Sequence, residues 1–339
     1  MNLNAQQMFA LSQGAEYFEE RSGAVFFSRF NKEEIALYRQ RPDFFPRADA
    51  TAGIQLEFVT DAEALLLAVT EPAGVTYNPI YAYDILVNGA HTGQLTNLQP
   101  DPENGRYREF IDPDAGYEKQ FSLGSGKKQV RIVFPWSMNL GIRRLELQGA
   151  TYAHPVPKQT RLLIYGDSIT QGSTSLYPSQ TYTALLGTWL NANSCNKGVG
   201  SEMYYPELAQ VKLDWEPDII TVAYGINDWY YLSQQEFTDR CRRFWEALCK
   251  KHPHAKKFAL TPIYYLAIAQ CGERPFGPLE DVAKCIRQIA VEFPDITVID
   301  CTEFVSRDHA DFGDLWVHPN HIGFEKFFQN LSQAIGKQL

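Results

Sequence analysis

The chain has 339 residues and a formal net charge of −9 with no block of like charges, so neither a nucleic acid nor an anionic membrane is its natural partner. No stretch approaches the roughly 18 apolar residues that span a bilayer, and Met1 to Gln7 lacks the basic and apolar regions of a signal peptide, so a cytoplasmic location is expected. The length suits two domains, and the six cysteines, from Cys195 to Cys301, are scattered without CxxC spacing, as reduced, mostly buried thiols would be.

Residues 23–150 read as short strands with apolar alternation: Ile54, Leu56 and Phe58; Leu65, Leu67 and Val69; Val130, Ile132 and Phe134; Leu145 and Leu147. Asn88-Gly89, Asn104-Gly105 and Gly124-Ser125-Gly126 punctuate them as turns. Alternation with frequent turns predicts an antiparallel β-sandwich or jelly roll, an accessory domain over residues 1–155. The prolines of Ala153-His154-Pro155-Val156-Pro157 mark a linker, and residues 156–339 form the second domain.

There, apolar strands alternate with amphipathic helices, the pattern of a doubly wound, mostly parallel sheet. Leu162 to Tyr165 runs straight into Gly166-Asp167-Ser168-Ile169, which places Ser168 at the carboxyl edge of the sheet, where open α/β folds bind ligands. Asn196-Lys197-Gly198 follows, then the strand Asp218 to Tyr224 leading into Gly225-Ile226-Asn227-Asp228. Ser233 to Glu236 resembles a capping box, with Phe237, Cys241, Phe244, Trp245 and Leu248 recurring at helical spacing behind it. Val282, Ile286, Ile289 and Phe293 share one face of another helix, Ile296 to Asp300 reads as a strand, and a last helix begins near His321, just after His318-Pro319-Asn320.

A serine hydroxyl is inert at neutral pH without a base and without donors for the oxyanion that forms. Here Ser168 is the candidate nucleophile and His318 the general base. The backbone N–H groups of Ser168 and Gly198 and the side-chain amide of Asn227 are candidate oxyanion donors. Gly198 suits close approach of a substrate to the backbone, though a tight turn would need a glycine equally. The G-x-S-x-G elbow is absent, since Thr170 fills its last position. No G-x-G-x-x-G or G-x-x-x-x-G-K-[ST] follows a strand, so no nucleotide cofactor is implied.

The four blocks, in this order and each at a strand end, resemble those of the SGNH hydrolase superfamily, the GDSL-type esterases, whose letters fall on Ser168, Gly198, Asn227 and His318. The resemblance covers roughly residues 161–330 and implies a three-layer α/β/α domain. Members usually carry Asp three residues before the histidine; Leu315 stands there, with Asp314 one position earlier. Either a local bulge lets Asp314 reach the imidazole, or a backbone carbonyl orients it and a Ser–His dyad operates; Asp311 is a weaker candidate. His309, Asp311, Asp314, His318 and His321 match no zinc spacing, so no metal is expected. His309 and His321 read as surface residues, Asp167 and Asp228 as helix or turn supports.

A β-sandwich ahead of such a domain is similar to the arrangement of carbohydrate esterase family two. The resemblance implies a serine esterase that removes short acyl groups from carbohydrates, with a small-molecule or oligosaccharide ester as partner. Trp229, within the cluster Trp229-Tyr230-Tyr231, and Trp316 are candidate platforms for a sugar ring, or else core. A lipid esterase, lysophospholipase or thioesterase on the same scaffold is the alternative, and a non-catalytic carbohydrate-binding protein a further one. Oligomeric state is not legible in this sequence.

Overall fold

A computed structural model describes residues 1–72, 78–99, 111–112 and 114–339; the Asn104-Gly105 turn lies outside the described residues. The N-terminal part is two antiparallel sheets. One runs in the order Ser12–Gln13, Gln55–Thr60, Lys128–Val133, Ala82–Val87, Ala90–Thr96, the other Tyr17–Arg21, Ala24–Ser28, Ile142–Gln148, Ala64–Val69, Glu118–Ser122. Every alternating apolar residue named above, from Ile54 to Leu147, enters one core between these sheets. Leu3, Met8 and Leu11 of the N-terminus join that core.

Two local readings change. Ala153–Pro155 is an edge strand, not linker, and pairs antiparallel with Phe58 to Thr60; proline is tolerated on an edge because it need donate no ladder hydrogen bond. Residues 29–50, expected as strand, instead leave the sandwich as two helices, Lys32–Arg39 and Phe45–Asp49. The signal is local: Asn31 and Glu34 form a reciprocal capping box, and Pro46 lies in the first turn of the second helix. Phe30, Ile35, Tyr38 and Ala48 pack into the core of the other domain.

That domain holds a parallel sheet of five strands, Thr160–Gly166, Ala192–Gly198, Ile219–Ala223, Lys256–Leu260 and Ile296–Ile299, in spatial order second, first, third, fourth, fifth. Two groups of helices cover it: Tyr182–Trp189 packs with His321–Gly336, and Gln234–Lys251 with Pro206–Gln210 and Glu280–Ala290. The capping box at Ser233 and Glu236 is present, and Phe237, Cys241, Phe244, Trp245 and Leu248 are all buried. Strand order reverses beside the first strand, and Ser168 follows its carboxyl end, the position where open sheets leave a crevice. No helix among the described residues is long and apolar enough to cross a membrane.

The two halves interlock through buried polar groups. Arg29, 1% exposed, donates to Ala50 O at 2.7 Å, Arg47 O at 2.8 Å, Asn196 O at 2.8 Å and Gly198 O at 2.6 Å. Burial pulls its pKa down to about 10, which leaves it charged at neutral pH. Beside it, buried Lys197 meets Glu34 at 2.6 Å, Glu16 at 3.2 Å and Arg29 O at 2.7 Å. From the sandwich, Asp84 accepts from Ser179 N at 2.8 Å, and Trp136 Nε1 donates to Ser175 O at 2.9 Å. Arg29→Met would strip the buried carbonyls of Ala50, Asn196 and Gly198 of their side-chain donor and leave Arg47 O only Gln171 Nε2 at 3.2 Å, so urea unfolding should register a loss of about 3–5 kcal/mol. A loss below ~1 kcal/mol would mean that the carbonyls find other partners.

Candidate active site

Ser168 opens the short helix Ser168–Gln171 directly after the first parallel strand. Asp167 caps this helix, accepting from Ile169 N at 2.9 Å, and Gly172 ends it at φ 102°. The tight strand-to-helix turn leaves Ser168 only 7% exposed, with its hydroxyl at the sheet edge. Its Oγ lies 2.6 Å from His318 Nε2.

His318 belongs to a loop that Thr174 Oγ1 ties to the nucleophile segment by donating to Pro319 O at 2.9 Å, while Gly313 N donates to His318 O at 2.9 Å. Asp314 Oδ2 hydrogen-bonds His318 Nδ1. Its other oxygen accepts from the backbone N–H groups of Trp316 at 2.9 Å, Val317 at 3.2 Å and His318 at 3.2 Å. The extra residue is absorbed at Leu315, which adopts φ 61°. That left-handed residue folds the chain back, so the carboxylate four positions before the histidine reaches its ring. Burial pushes Asp314 up, but the hydrogen bond and charge of His318, with the N–H groups of Trp316 and His318, prevail and hold it at about 2. Asp311 turns elsewhere, to Ser306 and to Lys326 Nζ at 2.8 Å.

Asn227 sits in the helix Ile226–Tyr231, entered through Gly225 at φ 131°, and one amide hydrogen goes to Glu202 O at 3.0 Å. Its second amide hydrogen has no acceptor among the described residues. The same holds for the backbone N–H of Ser168.

Gly198 is different. Its N–H donates to Asn196 Oδ1 at 2.8 Å, and a Cβ at this position would lie 2.6 Å from Gln171 N. The glycine is required because the strand packs directly against the nucleophile helix; its N–H is already committed, which corrects its expected oxyanion role. Trp229 is also corrected: it is 3% exposed, and Nε1 donates to Gly277 O at 2.8 Å, so it is core. Trp316, by contrast, is 42% exposed two residues before His318. His309 is exposed, whereas His321 is half-buried with its ring against Tyr177.

Asp167 and Asp228 are buried supports, Asp228 accepting from Tyr204 N at 3.0 Å while its Oδ2 has no hydrogen-bond partner among the described residues. Residues the sequence reading passed over include Gln171, whose side chain bridges Trp136 O at 2.9 Å and Gly200 N at 2.6 Å. Arg41 is another, bound to Glu202 by both terminal nitrogens at 2.7 and 2.9 Å. Neither carries a motif that would have marked it.

Residues 164–326 match the model of the GDSL-like Lipase/Acylhydrolase family, and the C-terminal domain is accordingly an SGNH-type ester hydrolase domain. No curated protein matches the chain in sequence. Among solved structures, a salicylyl-acyltransferase from a tetracycline biosynthetic pathway aligns with a TM-score of 0.77 at 19% identity, over 96% of this chain and 94% of that one. A family two carbohydrate esterase from Cellvibrio japonicus aligns at 0.63 and 14% identity, over 100% and 99% of the chains. One from Clostridium thermocellum, in complex with cellohexaose, aligns at 0.63 and 13%, over 85% and 93%. These likenesses establish a shared two-domain fold.

If Asp314 orients His318 and stabilises its cation, Asp314→Asn should lower kcat by about 10³–10⁴ with KM little changed. Steady-state kinetics that stay within a few-fold of wild type would favour a dyad instead. Burial also pushes Asp228 up to about 7. The unfolded chain releases this proton near pH 4, so the folded protein holds more protons between about pH 4 and 7 and loses stability as pH rises across that window. Asp228→Asn should flatten that slope in urea titrations at several pH values. An unchanged slope would show that Asp228 ionises normally.

Proposed function

We propose that this SGNH-type hydrolase is a serine esterase that cleaves short acyl esters, acetyl above all, from carbohydrates. The observation that carries the reading is the continuous line from Ser168 Oγ through His318 to Asp314. Ser168 attacks the ester carbonyl as His318 Nε2 takes its proton. The oxyanion collapses, the acyl–oxygen bond breaks, and His318 returns the proton to the leaving alcohol. Water, deprotonated by the same imidazole, then releases the acid and restores Ser168. Asp314 holds Nδ1–H throughout, so that Nε2 is the basic nitrogen.

The carbohydrate part rests on the fold shared with family two carbohydrate esterases and on Trp316, an exposed indole beside the base that offers a flat apolar face to a sugar ring. A second reading is favoured by the likeness to the salicylyl-acyltransferase: the same acyl-enzyme would pass its acyl group to a hydroxyl acceptor rather than to water. Both readings use Ser168 identically and differ only in the second nucleophile.

Hydrolysis of p-nitrophenyl esters from acetate to octanoate should be fastest at acetate or propionate and vanish in Ser168→Ala. A maximum near octanoate would point to a lipase-like pocket. Acetate release from acetylated xylo- or manno-oligosaccharides tests the substrate class, and complete inactivity across such a panel would overturn it. Product partitioning in the presence of sugar or phenol acceptors separates hydrolysis from transfer.

A further inference from the structure

Residues 261–279, the segment after the strand Lys256–Leu260, touch both the loop of the base and the helix of Asn227. Ala267 N donates to Trp316 O at 3.1 Å, two residues before His318, and Gly277 O accepts from Trp229 Nε1 at 2.8 Å, two residues after Asn227. The Tyr265 ring lies 5.7 Å from that of Trp229, and the Phe276 ring packs edge-on against Phe237 at 5.2 Å. Between these anchors Gly277 N donates to Arg274 O at 3.0 Å, and Gly277 takes φ 101°, which closes a turn that carries Arg274. The backbone on both sides of Arg274 is therefore held.

Its side chain folds back over the Asn227 helix. The guanidinium carbon stands 3.6 Å from the centroid of the Tyr230 ring. Tyr230 is three residues beyond Asn227 in Ile226–Tyr231, so the two share a helix face. Among the described residues the Arg274 guanidinium makes no hydrogen bond and no ion pair, and its Nε is buried without an acceptor. Its neighbours around the site differ: Glu202 is paired with Arg41, Asp314 with His318 and Asp311 with Lys326. A ring stack holds a guanidinium by its face and leaves its N–H groups, which lie in its plane, unused. Tyr230 thus fixes the orientation of Arg274 without consuming a donor, and the terminal N–H groups remain for a ligand. A planar fork of this kind matches a carboxylate by two parallel hydrogen bonds, whereas a sugar hydroxyl offers one oxygen and no charge.

We propose that Arg274 is a specificity-determining residue that binds a carboxylate of the substrate, so that the preferred esters are carried by acidic sugars of the uronic-acid class rather than by neutral ones. The proposal rests on the carbohydrate-esterase reading above and names a class within it. Residues 261–279 then join two recognition elements, the exposed indole of Trp316 for the apolar face of a sugar and the stacked guanidinium of Arg274 for its charge.

The test compares acetate release from an acetylated uronic-acid oligosaccharide with release from the same oligosaccharide after its carboxyl groups are converted to amides. Wild type should prefer the carboxylate form by about 10–100-fold in kcat/KM, chiefly through KM, because the contact is remote from the bond that breaks. The preference should shrink as salt rises. In Arg274→Gln the two forms should be cleaved with nearly equal kcat/KM, and in Arg274→Lys the preference should fall to a few-fold, since an ammonium supplies charge without the fork. Arg242→Gln removes the same charge from an exposed helix, where Arg242 pairs with Glu292, and should keep the full preference. A wild type that favours neither form or cleaves neither, a preference that survives Arg274→Gln, or one that falls as far in Arg242→Gln overturns the assignment. Labelling of Ser168 by a phosphonate, located by mass spectrometry, shows that each variant is folded, and the wild-type comparison decides even where a variant is not. A wild type that takes no label and hydrolyses no p-nitrophenyl acetate defeats the serine-esterase reading itself. One that does both yet shows no carboxylate preference defeats only the present proposal.

Discussion

A parallel strand that ends at a ligand site leaves carbonyls without ladder partners, and burying such groups unpaired is costly. At Asn196 and Gly198 the donor is one guanidinium, that of Arg29, which comes from the N-terminal half of the chain and makes all its hydrogen bonds to backbone oxygens. This constraint couples the two halves. The chain must leave the sandwich after Ser28, lay residues 29–50 across the hydrolase domain, and return for the strand Gln55–Thr60. Lys197, from the same parallel strand, meets Glu34 and Glu16 beside it, so charge pairs line the strand edge.

The four blocks were legible in the sequence because each combines an apolar run with a small-residue turn, and chemistry at a sheet edge demands that pairing. The sandwich core was legible because alternation has one meaning when one face is buried. What escaped was set by contacts distant in the chain. The helical excursion at 29–50 hides among strands, and its local marks are the Asn31 and Glu34 box and Pro46. Gly198 looks the same whether a substrate or a helix approaches it, and only packing against Gln171 decides. Trp229 and Trp316 are equivalent as letters, yet Gly277 O engages one and the other stands at the surface.

Asp314 shows how a departure from a family pattern is absorbed. One added residue between acid and base rotates the intervening backbone, and Leu315 takes that rotation into its own φ, leaving the carboxylate with three N–H donors and the imidazole. The three buried aspartates near the site then divide by their partners. Asp314 faces a potential cation and is held at about 2, whereas burial prevails at Asp167 and Asp228 and raises them to about 6 and about 7. Desolvation acts on all three in the same direction, so the partner decides which of them is held below the usual carboxylate range.

The N-terminal half thus braces the loop that Gln171 ties to the Ser168 helix. Within residues 198–204 only Glu202 braces the backbone with its own side chain, through Met203 N. Further bracing comes from Gln171 and Asn227 on one side and from Arg29, Arg41 and Arg47 on the other. The same interlocking explains why the charged groups at the domain junction are tolerated in the dry interior. Arg29, Lys197 and Glu202 each have partners in the opposite half, so the desolvation of each is offset only while the two halves stay together.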